Sequence, residues 1–536
     1  MSQNGSVRNE AEQGDRVTIW FGGLTMRHEL LILASLQGLG YDAGVIPTPR
    51  KADFQAGREF GNHGQCNPTY FTVGALVNHL RRMRDEDGIP LEEILANNLF
   101  ITAGACGPCR FGMYEAEFRL ALRNAGFDGF RVVLFEQKGG LEQRRPGDGI
   151  EFDLPFFLSV LNSFMIGDLL NEVAYAVRPF EVEPGRTERA LARCVALCQD
   201  ALREKNHRAI HAGPLSTLLS WVTPVSGALA AATFLVQLRD TRHTHALAEC
   251  RAIIDDEVEV DYLRSKPICK ITGEFWAQVT EGDGNHHMFR FLEDEGAEVL
   301  VEPVTAWVTY MLNQSANAAR DRAGLGGELE LRRKLFRLAL ARRLLTREYE
   351  RLRGALGGTA HPLVDQSELQ RVAHPYYNSR AGGGEGHLEV AENIYYTARG
   401  LCHLVVSLKP FGCMPSTQSD GAQAAVTSHF RDTHYIPIET SGDGDITAHS
   451  RVQMALGEAK AKCREEFGRA VEETGYTLSD LRAFVATRRD LRRPLQTIPR
   501  RPGVVGRAAT FALHVGGLMR SEGVTPAGAA APGATT

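Results

Sequence analysis

The stretch Leu99–Phe135, LFITAGACGPCRFGMYEAEFRLALRNAGFDGFRVVLF, decides how the chain folds. A short apolar run (Leu99–Thr102) enters a loop of glycine, proline and cysteine. A helix (Tyr114–Asn124) and a second apolar run (Arg131–Phe135) follow. Strand, loop, helix and strand in that order predict a parallel crossover unit. The alternation extends upstream. Val17–Phe21 reads as a strand, and Leu30, Leu33 and Leu36 form a helical stripe that stops at Gly38–Gly40. Val45–Ile46 begins another strand, and Thr69–Arg84 is a helix.

Downstream, Phe152–Asp261 lacks strand signals and carries helical periodicity. Alternation then returns with Ile268–Thr272 (strand), Asn285–Glu295 (helix) and Glu298–Val301 (strand). Arg320–Leu356 reads as one long charged helix, and Ala373–Gly386 as a glycine-rich loop. Leu388–Arg399 (helix), His403–Leu408 (strand), Ala422–Phe430 (helix), Tyr435–Ile438 (strand) and helix Ala448–Glu473 complete the pattern. The expected fold class is α/β: two doubly wound parallel-sheet units with a helical middle segment and a helical C-terminal region. The boundaries follow: a disordered N-terminus (1–15), a first α/β domain (16–150), a helical segment (151–264), a second α/β domain (265–475), a basic helical region (476–520) and a disordered tail (521–536). No internal repeat is evident in the sequence.

The 536 residues, 43% hydrophobic and 23% charged, have the profile of a globular protein. A net charge of -5 gives no reason to expect nucleic acid. Residues 1–15 contain no apolar h-region, so no secretory signal is read and a cytoplasmic location is expected. Ala212–Leu238 has no charged side chain, but Pro214, Pro224 and Gly227 interrupt it. It is expected to be a buried helical hairpin and not a membrane span. The basic stretch Arg488–Arg507 lacks interleaved aromatics and is expected to be a solvated face or a docking surface for an acidic partner.

Ten cysteines in a reducing compartment suggest burial, metal binding or redox chemistry, not cross-links. Functional groups in open α/β sheets gather beyond the carboxyl ends of strands. Cys66 (GNHGQCNP, 61–68), Cys106 and Cys109 (GACGPCRFG, 104–112) and Cys413 (KPFGCMPS, 409–416) all take such positions, each beside glycine or proline. Glycine lets backbone approach an inorganic core, and a helix N-terminus favours a thiolate. Cys194, Cys198, Cys250, Cys269, Cys402 and Cys463 lie on apolar faces or strands and are expected to be small core residues. Cys106-Gly-Pro-Cys109 also spells a dithiol redox motif, but Gly112 disfavours the uninterrupted helix such a motif needs. Structural zinc usually wants two paired-ligand knuckles, and only one CxxC exists.

GACGPCRFGMY (104–114), KITGEFW (270–276), PFGCMP (410–415) and ETSGDGDITAHSRVQMAL (439–456) together resemble the 2-hydroxyglutaryl-CoA dehydratase-like, CoA-substrate-specific enzyme activase-related proteins. These belong with benzoyl-CoA reductase and the double-cubane reductases. The resemblance runs from about Val17 to Lys460. It implies an iron–sulfur cluster, [4Fe–4S] or double-cubane, on Cys66, Cys109 and Cys413; Cys106 is an addition to that pattern. It also implies low-potential one-electron transfer to a bound acceptor such as an acyl-CoA. Electrons would come from an ATP-hydrolysing activator of the actin/hexokinase/chaperone fold, in a homo- or hetero-oligomer. Gly382-Gly-Gly384 lacks the Lys-Ser/Thr of a phosphate loop, so ATP is expected on the partner. A non-catalytic iron–sulfur carrier or scaffold and a CxxC thiol–disulfide protein are the alternatives.

Five further positions carry expectations. Arg110 is a donor to cluster sulfur or part of a salt bridge. Glu274 and Asn285 line a cavity or cap a helix at Asn285. Asp443 and Asp445, between glycines, form a tight turn at a sheet edge or serve a site in Ser441–Arg451.

Overall fold

The computed structural model describes residues 17–104, 109–136, 150, 152, 154–204 and 240–525. The expected N-terminal disorder, Cys106, the Ala212–Leu238 hairpin and all but the first five residues of the expected tail lie outside these residues.

Two four-stranded sheets organise the chain. The first contains β1 (Thr18–Phe21), β2 (Asp42–Val45), β3 (Asn98–Gly104) and β4 (Arg131–Glu136) in the order β2-β1-β3-β4. The second contains β5 (Ile268–Gly273), β6 (Glu298–Val301), β7 (Leu404–Pro410) and β8 (Tyr435–Thr440) in the order β6-β5-β7-β8. Every pairing is parallel. The two orders are the same topology, a duplication that the sequence does not display. Each sheet reverses direction between its first and third strands, which is where such folds open a crevice.

Several boundaries moved for physical reasons. Val45 ends β2 instead of beginning it, because Thr18 pairs with Asp42 and Phe21 with Val45. No helix starts at Asn285: His286 (φ 58°) and His287 (φ 52°) are left-handed, and the helix is Met288–Asp294. The long helix starts at Glu328 and not at Arg320, because Gly324, Gly326 and Gly327 separate it from a helix the sequence reading missed, Val304–Asp321. The helix expected at Ala422 begins at Met414, capped by Cys413.

The helical middle and the C-terminal helices are not separate bodies. Residues of helices Leu154–Val177, Arg186–Arg203, Arg242–Glu257, Glu328–Ala355, Leu478–Thr487 and Arg507–Ser521 form one apolar cluster that reaches back to Leu31. Leu154–Phe180 is long and apolar enough to cross a membrane by length and composition, yet most of it is buried inside the protein. The basic C-terminal stretch pairs with carboxylates of its own chain: Arg488 with Asp490 and Glu522, Arg489 with Asp256, Arg492 with Glu259, and Arg507 with Glu298. Several of these arginines stay half exposed, Arg489 at 62%, so the stretch is the solvated face expected, neutralised in part by its own chain.

Asp168 ties the units together. From the core helix Leu154–Val177 it accepts the backbone N–H groups of Val304 (2.7 Å) and Thr305 (2.9 Å), and the Thr305 hydroxyl (2.6 Å). His28 Nε2, on the first helix of the first unit, lies 3.1 Å away. One carboxylate thus caps a helix of the second unit and holds a helix of the first. We predict that Asp168→Ala lowers unfolding free energy by about 3–5 kcal/mol, because it leaves buried donors without an acceptor. Urea titration checks this, and a loss under about 1 kcal/mol contradicts the assignment.

Candidate functional site

Cys109 and Cys413 follow β3 and β7, the same strand position in each unit, and Cys66 lies in the crossover from β2 to β3. All three cysteines are N-cap residues with extended backbone. Cys66 precedes helix Asn67–Asp85, Cys109 a short 3₁₀ turn (Arg110–Met113) and Cys413 helix Met414–His429. Pro68 and Pro415 sit in the first turns of the two longer helices, where a missing N–H costs no intrahelical bond. Gly112 does limit the Cys109 turn, and the α-helix starts only at Tyr114.

The three segments meet. Asn67 N–H donates to Phe411 O (3.0 Å), and Asn67 Nδ2 donates to Thr440 O (2.8 Å), so the Cys66 loop is bonded to the edge of the second sheet. Gly412 has φ 78°, and a Cβ there would lie 3.0 Å from Gln65 O and 3.2 Å from Cys66 Cα. Gly384, at φ 80°, is wedged similarly: a Cβ would stand 3.4 Å from Cys109 Cβ and 2.4 Å from Pro415 Cγ. The glycine-rich loop therefore passes between Cys109 and the helix that Cys413 caps. The Cys66 sulfur lies 3.1 Å from Thr69 Oγ1 and 3.2 Å from Tyr114 OH, and the Cys109 sulfur accepts from Phe111 N–H (3.4 Å).

Two carboxyl groups share this space. Glu274, just after β5, accepts Ala277 N–H (2.9 Å) and so caps helix Phe275–Val279. Glu385 is the N-cap of helix Gly386–Ala398 and is 3% exposed. Burial pushes the thiols of Cys66, Cys109 and Cys413 above their ordinary range. Beyond that, nearby Glu385 and Glu274 raise Cys109 and Cys413, and Glu274 raises Cys66. Burial likewise raises both carboxyls, with Glu274 adding to the shift of Glu385. At neutral pH the free site is thus a set of neutral thiols, and binding a cation there releases their protons.

Arg110 forms no ion pair among the described residues. It donates to Gly64 O and fastens the Cys109 turn to the Cys66 loop. Asn285 Nδ2 bonds Ala277 O (3.0 Å) and Thr280 O (2.8 Å), closing a loop without beginning a helix. Asp443 pairs with Lys51 (2.7 Å), and Asp445 opens helix Asp445–Thr474. An open cleft of about 370 Å³ beside the Cys66 loop is lined by Lys51, Phe54, Arg58, His63 and Asp443, among others. The remaining cysteines among the described residues are buried in cores, with Cys198 and Cys250 sulfurs 3.8 Å apart between two helices. Tyr114 and Glu385 are site residues that the sequence reading passed over; GGGEG (382–386) registered only as a loop.

Iron–sulfur chemistry suits this donor set. The segments that carry the three thiols meet, and Gly412 and Gly384 bring backbone close to Cys66 and Cys109 with no Cβ in the way. Among the described residues, no three His, Cys, Asp or Glu side chains close around a single metal ion. A multi-iron core spans more room than one ion, so its thiolates stand farther apart than mononuclear ligands do. Comparison of the chain with protein-family models and with curated proteins returned no match.

Two outcomes are expected. Gly412→Ala destabilises the fold by about 1–3 kcal/mol through its positive φ and its contact with Gln65, as a thermal melt will measure. In the metal-free protein, the partly exposed Cys109 reacts slowly with iodoacetamide at neutral pH and faster as pH rises. Peptide mass spectrometry reads this, and labelling as fast as an ordinary thiol at neutral pH contradicts the raised pKa.

Proposed function

We propose that Cys66, Cys109 and Cys413 hold an iron–sulfur cluster and that the protein is the reducing component of a 2-hydroxyacyl-CoA dehydratase- or reductase-like system. The observation that carries this reading is the meeting of three N-cap cysteines from segments hundreds of residues apart, with Gly384 wedged beside Cys109 and Gly412 against the Cys66 loop. Purely structural cysteines do not need that arrangement, since a buried thiol packs anywhere a small apolar group fits.

When bound, the cluster supplies low-potential one-electron reduction of an acceptor. The chain's own residues do the rest. Helix N-termini behind Cys66 and Cys413 stabilise thiolate charge. Thr69 and Tyr114 place hydroxyls on the Cys66 sulfur, and hydrogen bonds to ligand sulfur raise reduction potential. Phe111 N–H does the same at Cys109. Burial raises the carboxyls of Glu274, to about 7, and of Glu385, so each can carry a proton toward an acceptor that gains negative charge. The cleft at Lys51 and Arg58 offers cationic side chains to the anionic part of that acceptor, such as the phosphates of an acyl-CoA. Electrons are proposed to come from an ATP-hydrolysing activator.

Protein purified without oxygen, or reconstituted with iron and sulfide, is expected to be brown and to contain both elements. Cys109→Ala and Cys413→Ala should each lose most of the iron, whereas Cys194→Ala, in the helical core, should keep it. A colourless wild-type preparation, or full iron in both site variants, rejects the proposal.

A further inference from the structure

A helix of a globular protein usually buries one stripe of side chains. Helix Glu328–Ala355 does so only in its second half, where Leu345, Tyr349 and Leu352 join the large apolar cluster. The seventeen residues before Leu345 contain no buried one, a length of about 25 Å. Residues 321–330, which lead into this helix from helix Val304–Asp321, are all exposed.

Exposure alone would make this a solvated face, but its apolar content does not fit that. Leu325 is 85% exposed, Leu329 62% and Phe336 57%. Alternating steps of four and three residues align Leu329, Arg333, Phe336, Leu340, Arg343 and Arg347 along one side of the helix. That side lies opposite the buried stripe of Leu345, Tyr349 and Leu352. The ridge mixes hydrocarbon with guanidinium groups.

The charge is one-sided as well. Residues 320–347 hold nine basic and three acidic side chains, in a chain whose net charge is -5. Arg332 pairs with Glu328, and Arg342 lies 4.0 Å from Asp365. Arg333, Lys334, Arg337, Arg343 and Arg347 are exposed and form no ion pair among the described residues. The C-terminal arginines, by contrast, take carboxylates from their own chain.

These features choose between covers for the face. A second copy brings the same excess of positive charge, and like charges set face to face repel. A groove on a protein demands a fixed complementary shape. The most exposed apolar residue, Leu325, sits between Gly324, at φ 85°, and the pair Gly326 and Gly327. Glycine leaves such a tip free to change shape. A fluid anionic lipid surface asks only for hydrocarbon to immerse and cations at headgroup level.

We propose that the segment from Arg320 to Arg347 is a peripheral attachment site for an anionic lipid surface. Leu325, Leu329 and Phe336 enter the boundary between headgroups and acyl chains, and the unpaired basic side chains lie against lipid phosphates. The rest of the chain is net negative and is repelled, so the protein settles with this segment toward the lipid. The inference does not rest on the iron–sulfur reading.

The test mixes the full-length protein with phosphatidylcholine vesicles, with or without about one-third phosphatidylglycerol, and reads bound protein by flotation. Binding to the anionic vesicles alone, weakening as salt rises, is expected. The triple variant Arg333→Gln, Arg337→Gln, Arg343→Gln should bind at least about tenfold more weakly, and Phe336→Ser should also bind more weakly. All four positions are exposed, and circular dichroism checks that each variant folds. Leu325→Trp reads the contact directly, because brominated acyl chains should quench its added fluorescence. Failure to bind anionic vesicles overturns the lipid surface in favour of an acidic protein partner. Equal binding to uncharged vesicles, binding that both variants leave intact, or an unquenched Leu325→Trp signal also overturns it. So does a dimer in lipid-free sedimentation that Phe336→Ser dissociates, which assigns the face to a second copy.

Discussion

Two sheets can build one pocket only if their carboxyl edges are held face to face, and the bonds from Asn67 to Phe411 and Thr440 do that here. They are short, directional and made by backbone or by an amide buried in the interface, so they fix spacing as well as contact. Without them Cys66 would belong to the first sheet and Cys413 to the second, with no shared space. Asp168 makes a second tie between the same two units, joining the first helix of one to a helix start of the other. The pocket is a consequence of this clamp.

The interior around the pocket is costly. Neutral thiols and carboxyls lie in surroundings that disfavour their charged forms, and two lysines are enclosed in a sheet that could have been apolar. Replacing buried ion pairs by hydrocarbon is often neutral or stabilising, so retention of such groups needs a reason beyond stability. The opposite face of the same sheet, with Ile271, Leu404, Val406 and Leu408, shows what the fold uses when no chemistry is required. The second sheet is thus polar on one face and hydrocarbon on the other.

Much of the architecture was legible because strands and helices announce themselves by composition and period. β6 and helix Tyr114–Asn124 lie where the sequence places them, and Cys66, Cys109 and Cys413 fall at strand ends or helix starts. Failures cluster where tertiary contacts outvote local preference. His286 and His287 take left-handed conformations that no pattern of apolar residues reveals. Arg488 to Arg507 is the exposed basic run its composition suggests, but its carboxylate partners Asp256, Glu259 and Glu298 are far away in sequence and could not be read from it. The duplicated strand order escaped because parallel pairing depends on buried β-branched residues that can be exchanged without leaving a repeat. Glu385 escaped because one acid among glycines looks like loop solvation until the fold buries it.

The apolar cluster joining Leu31 to Met519 sets the order of events during synthesis. A nascent chain that has reached Leu263 still lacks Leu345, Leu481 and Phe511, so its middle helices emerge from the ribosome with uncovered faces. Surface of that kind is what chaperones hold and what aggregates when they do not. Cys66 and Cys109 are translated long before Cys413, so the segments that meet around them are complete only after the second sheet has been made. The apolar cluster closes later still, once helix Arg507–Ser521 has arrived.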